Sequence, residues 1–190
     1  MSNEVQIGLS NKHLHLRQED VDTLFGKGHC LTHTKDLIQP GQFACDEKVD
    51  IVGPKGVLKG VRVLGPARPE TQVELALTDA RAIGLKVPVR ESGKLEGTPG
   101  CKLIGPAGEV DLEKGVIAAL RHVHLSPAQA EAIGVNDKDI VSVKVEGERG
   151  LIFNNVLVRA GDAYYGEIHF DTDEGNAAGL GPDAVGTIIK

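Results

Sequence analysis

The chain has 190 residues, enough for one large domain or two small ones with an adequate core. It is 41% hydrophobic but 3% aromatic, with 24 Gly and no Trp, which describes a turn-rich protein with a core of Val, Leu, Ile and Ala. The net charge of −6 argues against a general nucleic-acid binder, and no apolar run approaches the length of a membrane span.

In chain order, "MSNEVQIGLS" enters a strand-like alternation at once. No signal peptide or targeting extension is read before it, and a cytoplasmic location is expected. The cysteines, Cys30, Cys45 and Cys101, form no C-x-x-C pair and are odd in number. A disulfide framework is therefore not expected, and a reducing compartment is. Further strand-like runs follow: "VDIVG", "KGVRVLG", "TQVELAL", "CKLIG", "IVSVKVEG", "GLIFNNVLVRAG" and "YYGEIHF". Between them sit short helices. "RQEDVDTLFG" ends at Gly26 and "TDARAIG" at Gly84. "SPAQAEAIG" has Ser126 as N-cap, Pro127 at the first helical position, Gln129 completing a capping box and Gly134 as the stop.

Of seven histidines, four lie in "NKHLHL" and "LRHVHL". On a strand, His13 and His15 point to one face, as do His122 and His124, because side chains alternate with period two. The phrases belong to a larger echo. "HLHLRQEDVDTLFG", "ELALTDARAIG", "HVHLSPAQAEAIG" and "HFDTDEGNAAG" share one plan of strand end, polar cap, short helix and glycine. That register makes His13, Glu74, His122 and His169 equivalent, with His15, Ala76, His124 and Asp171 two residues later. A duplicated β-rich half with isolated helices points to two small β-barrels.

Imidazoles with a carboxylate suit zinc, or cobalt or nickel by analogy. So many ligands exceed what one tetrahedral ion needs, leaving either a two-metal site or one metal plus a catalytic imidazole. "HCLTH" at 29–33 is a competing ligand set, but its flanks, "GKG" and "KDLIQPGQ", read as a surface loop. Lys35, Arg62, Arg68, Arg90 and Arg159 lie at strand ends or in Gly/Pro-rich turns. Arginines there can clamp phosphate bidentately. There is no G-x-x-x-x-G-K-[ST] loop, and Ser10, Ser92 and Ser126 lack a nucleophile-elbow context.

Taken together, "VQIGLSNKHLHL", "GPARPETQVELALTDAR", "VPVRESGKLEGTPG", "GVIAALRHVHLSP" and "GEIHFDTDEGNAAG" resemble the phosphotransacylase family of the propanediol-utilisation type. That resemblance covers nearly the whole chain. It implies a mainly β fold of two small β-barrels capped by short α-helices, with the active site at their junction. One barrel would be 1–11 plus 120–190. The other would be 12–119, with 26–46 as a small insertion. It implies interconversion of short-chain acyl-CoA (acetyl or propanoyl) plus inorganic phosphate with acyl phosphate plus CoA.

By the same resemblance, two divalent ions, zinc first, would sit on His13, His15 and Glu74 and on His122, His124 and His169. Arg68 would be catalytic and bind phosphate, together with Ser92 and Arg159. Ser10, Lys35, Arg62, Leu64 and Asn176 would line the CoA site. Shell-targeted relatives carry an N-terminal amphipathic extension, and none is read here, so a cytoplasmic member outside the shell is expected. A homodimer is the generic expectation. The alternatives are a metal-dependent thioester or phosphoester hydrolase and a non-catalytic CoA- or metal-binding module.

Overall fold

The computed structural model describes residues 3–190. The chain divides into two compact units, Met1–Asn11 with Ile38–Pro40 and Leu120–Lys190, and Lys12–Leu37 with Gly41–Ala119. In chain order the first half runs β1 (Glu4–Ser10), β2 (His13–His15), α1 (Gln18–Phe25), β3 (His33–Asp36), β4 (Phe43–Gly53) and β5 (Gly56–Gly65). It continues with β6 (Gln72–Glu74), α2 (Leu77–Ala82), β7 (Val89–Arg90), β8 (Cys101–Ile104), β9 (Glu109–Leu112) and β10 (Val116–Ala119). The rest comprises β11 (His122–Leu125), α3 (Pro127–Ile133), β12 (Ile140–Val145), β13 (Leu151–Ala160), β14 (Glu167–Asp171), α4 (Thr172–Ala178) and β15 (Val185–Ile189). No helix among the described residues is long and apolar enough to cross a membrane.

The first unit is a closed barrel in the order β1-β14-β11-β13-β12-β15, sealed where β15 pairs antiparallel with β1. Its strands close because alternate residues are apolar and β-branched, turning Val5, Ile7, Val123, Val143, Val158 and Ile168 into one core. The second unit is a nine-stranded sheet, β7-β10-β6-β2-β5-β4-β8-β9, with β3 on the N-terminal part of β4. It curls around a separate core that includes Leu14, Leu16, Val63, Val73 and Leu103. Among the described residues this sheet does not close. The two-barrel expectation therefore holds in full for one unit and as a partial barrel for the other.

The duplication is visible in the pairing. β2 lies parallel to β5 and antiparallel to β6, and β11 lies parallel to β13 and antiparallel to β14. β4 and β5 match β12 and β13 as antiparallel neighbours. The strands that precede the two HxH phrases are exchanged. β1, which leads into β2, runs parallel to β14 of the other half, and β10, which leads into β11, runs parallel to β6. β8 stands beside β4 as β15 stands beside β12, but β8 goes on to pair with β9 while β15 goes on to β1. That one difference decides which sheet seals.

The helices are short, and two of them have the caps expected for their residues. α3 begins at the Ser126–Gln129 capping box and ends on Gly134 in the left-handed conformation. α4 uses the same device with Asp171 and Glu174 and stops at Gly179. α1 and α2 start at Arg17 and Ala76 without any side-chain cap. β3, β7, β9, β10 and β15 lie outside the runs read as strands. The segment after "HCLTH" was expected to be a loop, yet Lys35 and Asp36 extend an edge strand whose residues are all exposed, so no alternation of hydrophobicity marks it.

Candidate metal centres

Two clusters of metal-type ligands form, one in each unit. They are His13, His15 and Glu74 in the open sheet, and His122, His124 and His169 in the barrel. Within each cluster the donor atoms lie within 4.8 Å of one another. The pairing explains why. Across β2 and β6, His13 faces Glu74 and His15 faces Gln72. Across β11 and β14, His122 faces His169 and His124 faces Glu167. Between each pair of polar positions a core residue, Leu14 or Val123, points the other way and is fully buried. Period-two alternation thus puts the imidazoles on the face opposite the core.

The helix caps correct the register of the fourfold echo. Measured back from the N-caps Arg17, Ala76, Ser126 and Asp171, the residues two places earlier are His15, Glu74, His124 and His169. Four places earlier stand His13, Gln72, His122 and Glu167. The sequence register had instead aligned His13 and His122 with Glu74 and His169, an offset of two residues. Adjacent strands run in opposite directions, so a ligand early in β2 meets one late in β6. All eight positions are polar, and two of them, Gln72 and Glu167, are residues that the sequence reading missed.

In the sheet unit, His13 Nε2 is 3.5 Å from Glu74 Oε2, and the His13 and His15 rings meet edge to face at 5.2 Å. His15, only 2% exposed, has Nδ1 3.2 Å from the Leu64 carbonyl. That contact puts the ring proton on Nδ1 and the lone pair on Nε2, the tautomer a metal ligand needs. Burial, with the neighbouring His13 and Arg68, pushes the His15 pKa down to about 3, so the ring is neutral at pH 7. Gln72 is buried and places its amide nitrogen 2.5 Å from Glu74 Oε1 and 2.8 Å from Ser92 Oγ, while its carbonyl accepts from Gly93 N at 2.7 Å. Ser92 Oγ is itself 3.4 Å from Glu74.

In the barrel unit, His122 Nδ1 donates to the Leu120 carbonyl at 2.9 Å, which fixes the same tautomer. The His122 and His169 rings stack 4.7 Å apart. His169 Nε2 lies between two partners, His124 Nδ1 at 3.1 Å and Glu167 Oε2 at 3.0 Å. One proton cannot serve both contacts, and His124 Nε2 is buried with no partner among the described residues. A neutral His124 imidazole with such an orphaned lone pair fits a divalent cation of the zinc type. Burial, followed by His169, His122 and Arg159, pushes the His124 pKa down to about 2. Burial acts to raise the Glu167 pKa, but the hydrogen bonds from His169 and Gln39 outweigh it and hold the carboxyl below its ordinary range.

Each cluster has an arginine in its field. Arg68 follows the turn at Gly65-Pro66, donates its backbone N–H to Leu16 O at 2.8 Å and lies 3.4 Å from Gln42 Oε1 through Nη2. Arg159 stands opposite His124 in the parallel register. Its Nη2 donates to the Tyr164 hydroxyl at 3.2 Å, and the Tyr164 ring stacks on His124 at 4.4 Å. Of the residues expected to line a CoA site, Ser10 ends β1 opposite Asp171 and Asn176 is exposed on α4, both in the barrel unit. Lys35 is exposed on β3. Arg62 pairs with His13 in register and donates to the Cys45 carbonyl, and Leu64 supplies the carbonyl that orients His15.

The competing set at 29–33 does not assemble. His29 is 2.7 Å from the buried Glu47 and stacks on Phe25, whereas His33 stacks on Phe43 and contacts Asp36. Burial pushes the thiols of Cys45 and Cys101 up to about 11 and about 12, so neither is a nucleophile near neutral pH.

Residues 6–181 match the family model described as phosphate propanoyltransferase. A Thermotoga maritima protein named phosphate propanoyltransferase is 58% identical over 175 residues, covering 92% of this chain and 83% of that protein. A Clostridioides difficile protein of the same name is 50% identical over 186 residues, 98% of this chain and 89% of its own. A third, from Salmonella typhimurium, is 51% identical over 176 residues, with 92% and 83% covered.

Proposed function

The chain belongs to the phosphate propanoyltransferase family and is an acyltransferase. From that premise we propose that it exchanges the acyl group of short-chain acyl-CoA, acetyl or propanoyl, between CoA sulfur and inorganic phosphate. Two divalent ions, zinc first, would be held by His13, His15 and Glu74 and by His122, His124 and His169. The observation that carries this reading is the pair of three-ligand clusters at matching places in the duplicated plan, each with an arginine beside it. When bound, such an ion with an open coordination position supplies a Lewis acid toward a thioester oxygen or a leaving sulfur.

The protein's own groups carry the positioning. Inorganic phosphate is a weak nucleophile and gains most from being held in line. Arg68 presents the planar fork that binds it bidentately, with Ser92 and Arg159 as further phosphate contacts. The phosphate oxygen attacks the thioester carbon. A C–O bond forms, the C–S bond breaks, and CoA leaves as thiolate with the electron pair. The phosphate dianion needs no general base, which accords with the neutral state of His15 and His124. Ser10, Lys35, Arg62, Leu64 and Asn176 are proposed CoA contacts.

The test is CoA release from acetyl-CoA and propanoyl-CoA, with and without phosphate or arsenate, alongside metal analysis. Release that needs the oxyanion and tracks metal content is expected. Equal release without it would revive the hydrolase reading, which the transferase relatives do not favour.

A further inference from the structure

Aligned on their helix caps, the two centres contain the same set of charges in a different order. The sheet unit has Gln72 four places before its cap and Glu74 two places before it. The barrel unit has Glu167 and His169 in those same places. Each quartet therefore holds one carboxylate. In the first it is a ligand, steadied by an amide. In the second it contacts Nε2 of a ligand ring, which would then bind a metal through Nδ1. Glu167 is 7% exposed and its Oε2 lies 3.0 Å from His169 Nε2. The other side of that oxygen is held by Gln39 Nε2 at 2.9 Å, from the short segment Ile38–Pro40 that joins this unit. Gly8 faces His169 across the β1–β14 ladder and leaves the room: a Cβ there would fall 2.3 Å from Glu167 Oε1.

We propose that Glu167 is the positioning carboxylate of the three-histidine centre, giving it through His169 the negative charge that Glu74 gives the other centre directly. This rests on the metal reading above. A buried carboxylate behind a ligating imidazole fixes the ring and makes it a stronger donor, and removing such a group costs about 10- to 100-fold in metal affinity. Gln39 holds the carboxylate in place.

The experiment is competitive zinc titration against a chelator in a Glu74→Ala background, where the three-histidine centre alone remains intact. Glu167→Gln should weaken that remaining site about 10- to 100-fold, and Gln39→Ala, which keeps the carboxylate, should weaken it by less. Glu167→Gln binding zinc with the affinity of Glu74→Ala would overturn the proposal, even if it lowered thermal stability. If Glu167→Gln fails to fold, Glu167→Asp, whose shorter carboxylate is drawn back from His169, should weaken the site, and unchanged zinc affinity there would overturn the proposal. Failure of the starting protein to bind any divalent ion would instead remove the metal reading itself.

Discussion

The two halves of this chain fold the same plan to different ends. In one, β15 returns to β1 and the barrel seals. In the other, β8 turns to β9, and the sheet stays open with β7 and β9 at its edges. The candidate ligand clusters nevertheless sit at matching points in both, on the strand pairs β2–β6 and β11–β14 that precede the helices. Closure and ligand placement are therefore separable. Placement needs only two short strands in register and a helix start behind each, whereas closure depends on strands far from the ligands.

The most severe way to test that equivalence is to remove one ligand from each side. His15→Ala and His124→Ala should each lose one of two bound ions, with at least about 10³-fold loss of transfer activity, since a metal supplies several kcal/mol of charge stabilisation. Metal analysis and turnover check both. If one variant keeps both ions, the two centres are not counterparts. Arg68→Ala should cost about 10²-fold through misplaced phosphate while metal content stays at the parental level. Arg159→Ala should cost less, and a larger loss at Arg159 would reverse the roles assigned to the two arginines.

Acid should expose both centres of the metal-free protein. His15 and His124 have folded pKa values near 3 and 2, below the ordinary 6.5. The unfolded chain then binds more protons below pH 6.5. Stability is complete above that pH and is lost progressively as pH falls toward 3. Denaturant titrations across that window check the sign. Replacing either histidine should flatten the slope. The smallest effect separates the helices. Ser126→Ala and Asp171→Ala, at the two helices with side-chain caps, should each cost about 1 kcal/mol, read from melting curves.

Much of this was legible in the sequence because it lies in short-range pattern. The HxH phrases, the Ser126 box and the glycine stops are local, and local rules describe them. Gln72 and Glu167 were also within reach: Q-x-E and E-x-H carry the same polar alternation as H-x-H, and only the two-residue error in the echo concealed them. Gln39 carried no such signal, because its place follows from a three-residue excursion into the other unit. The open sheet was equally hidden. β9 and β10 are short, and nothing in "EVDL" or "VIAA" says which strand each will pair with.

The exchanged strand also constrains how the molecule is made. β1 leaves the ribosome long before its neighbours, Ile168–Asp171 on one side and Val185–Thr187 on the other. Through most of synthesis it therefore waits with both edges unsatisfied, and contacts so distant along the chain form slowly. A nascent chain stalled before β14 should aggregate first through β1, and a chaperone that shelters this segment should suppress that aggregation.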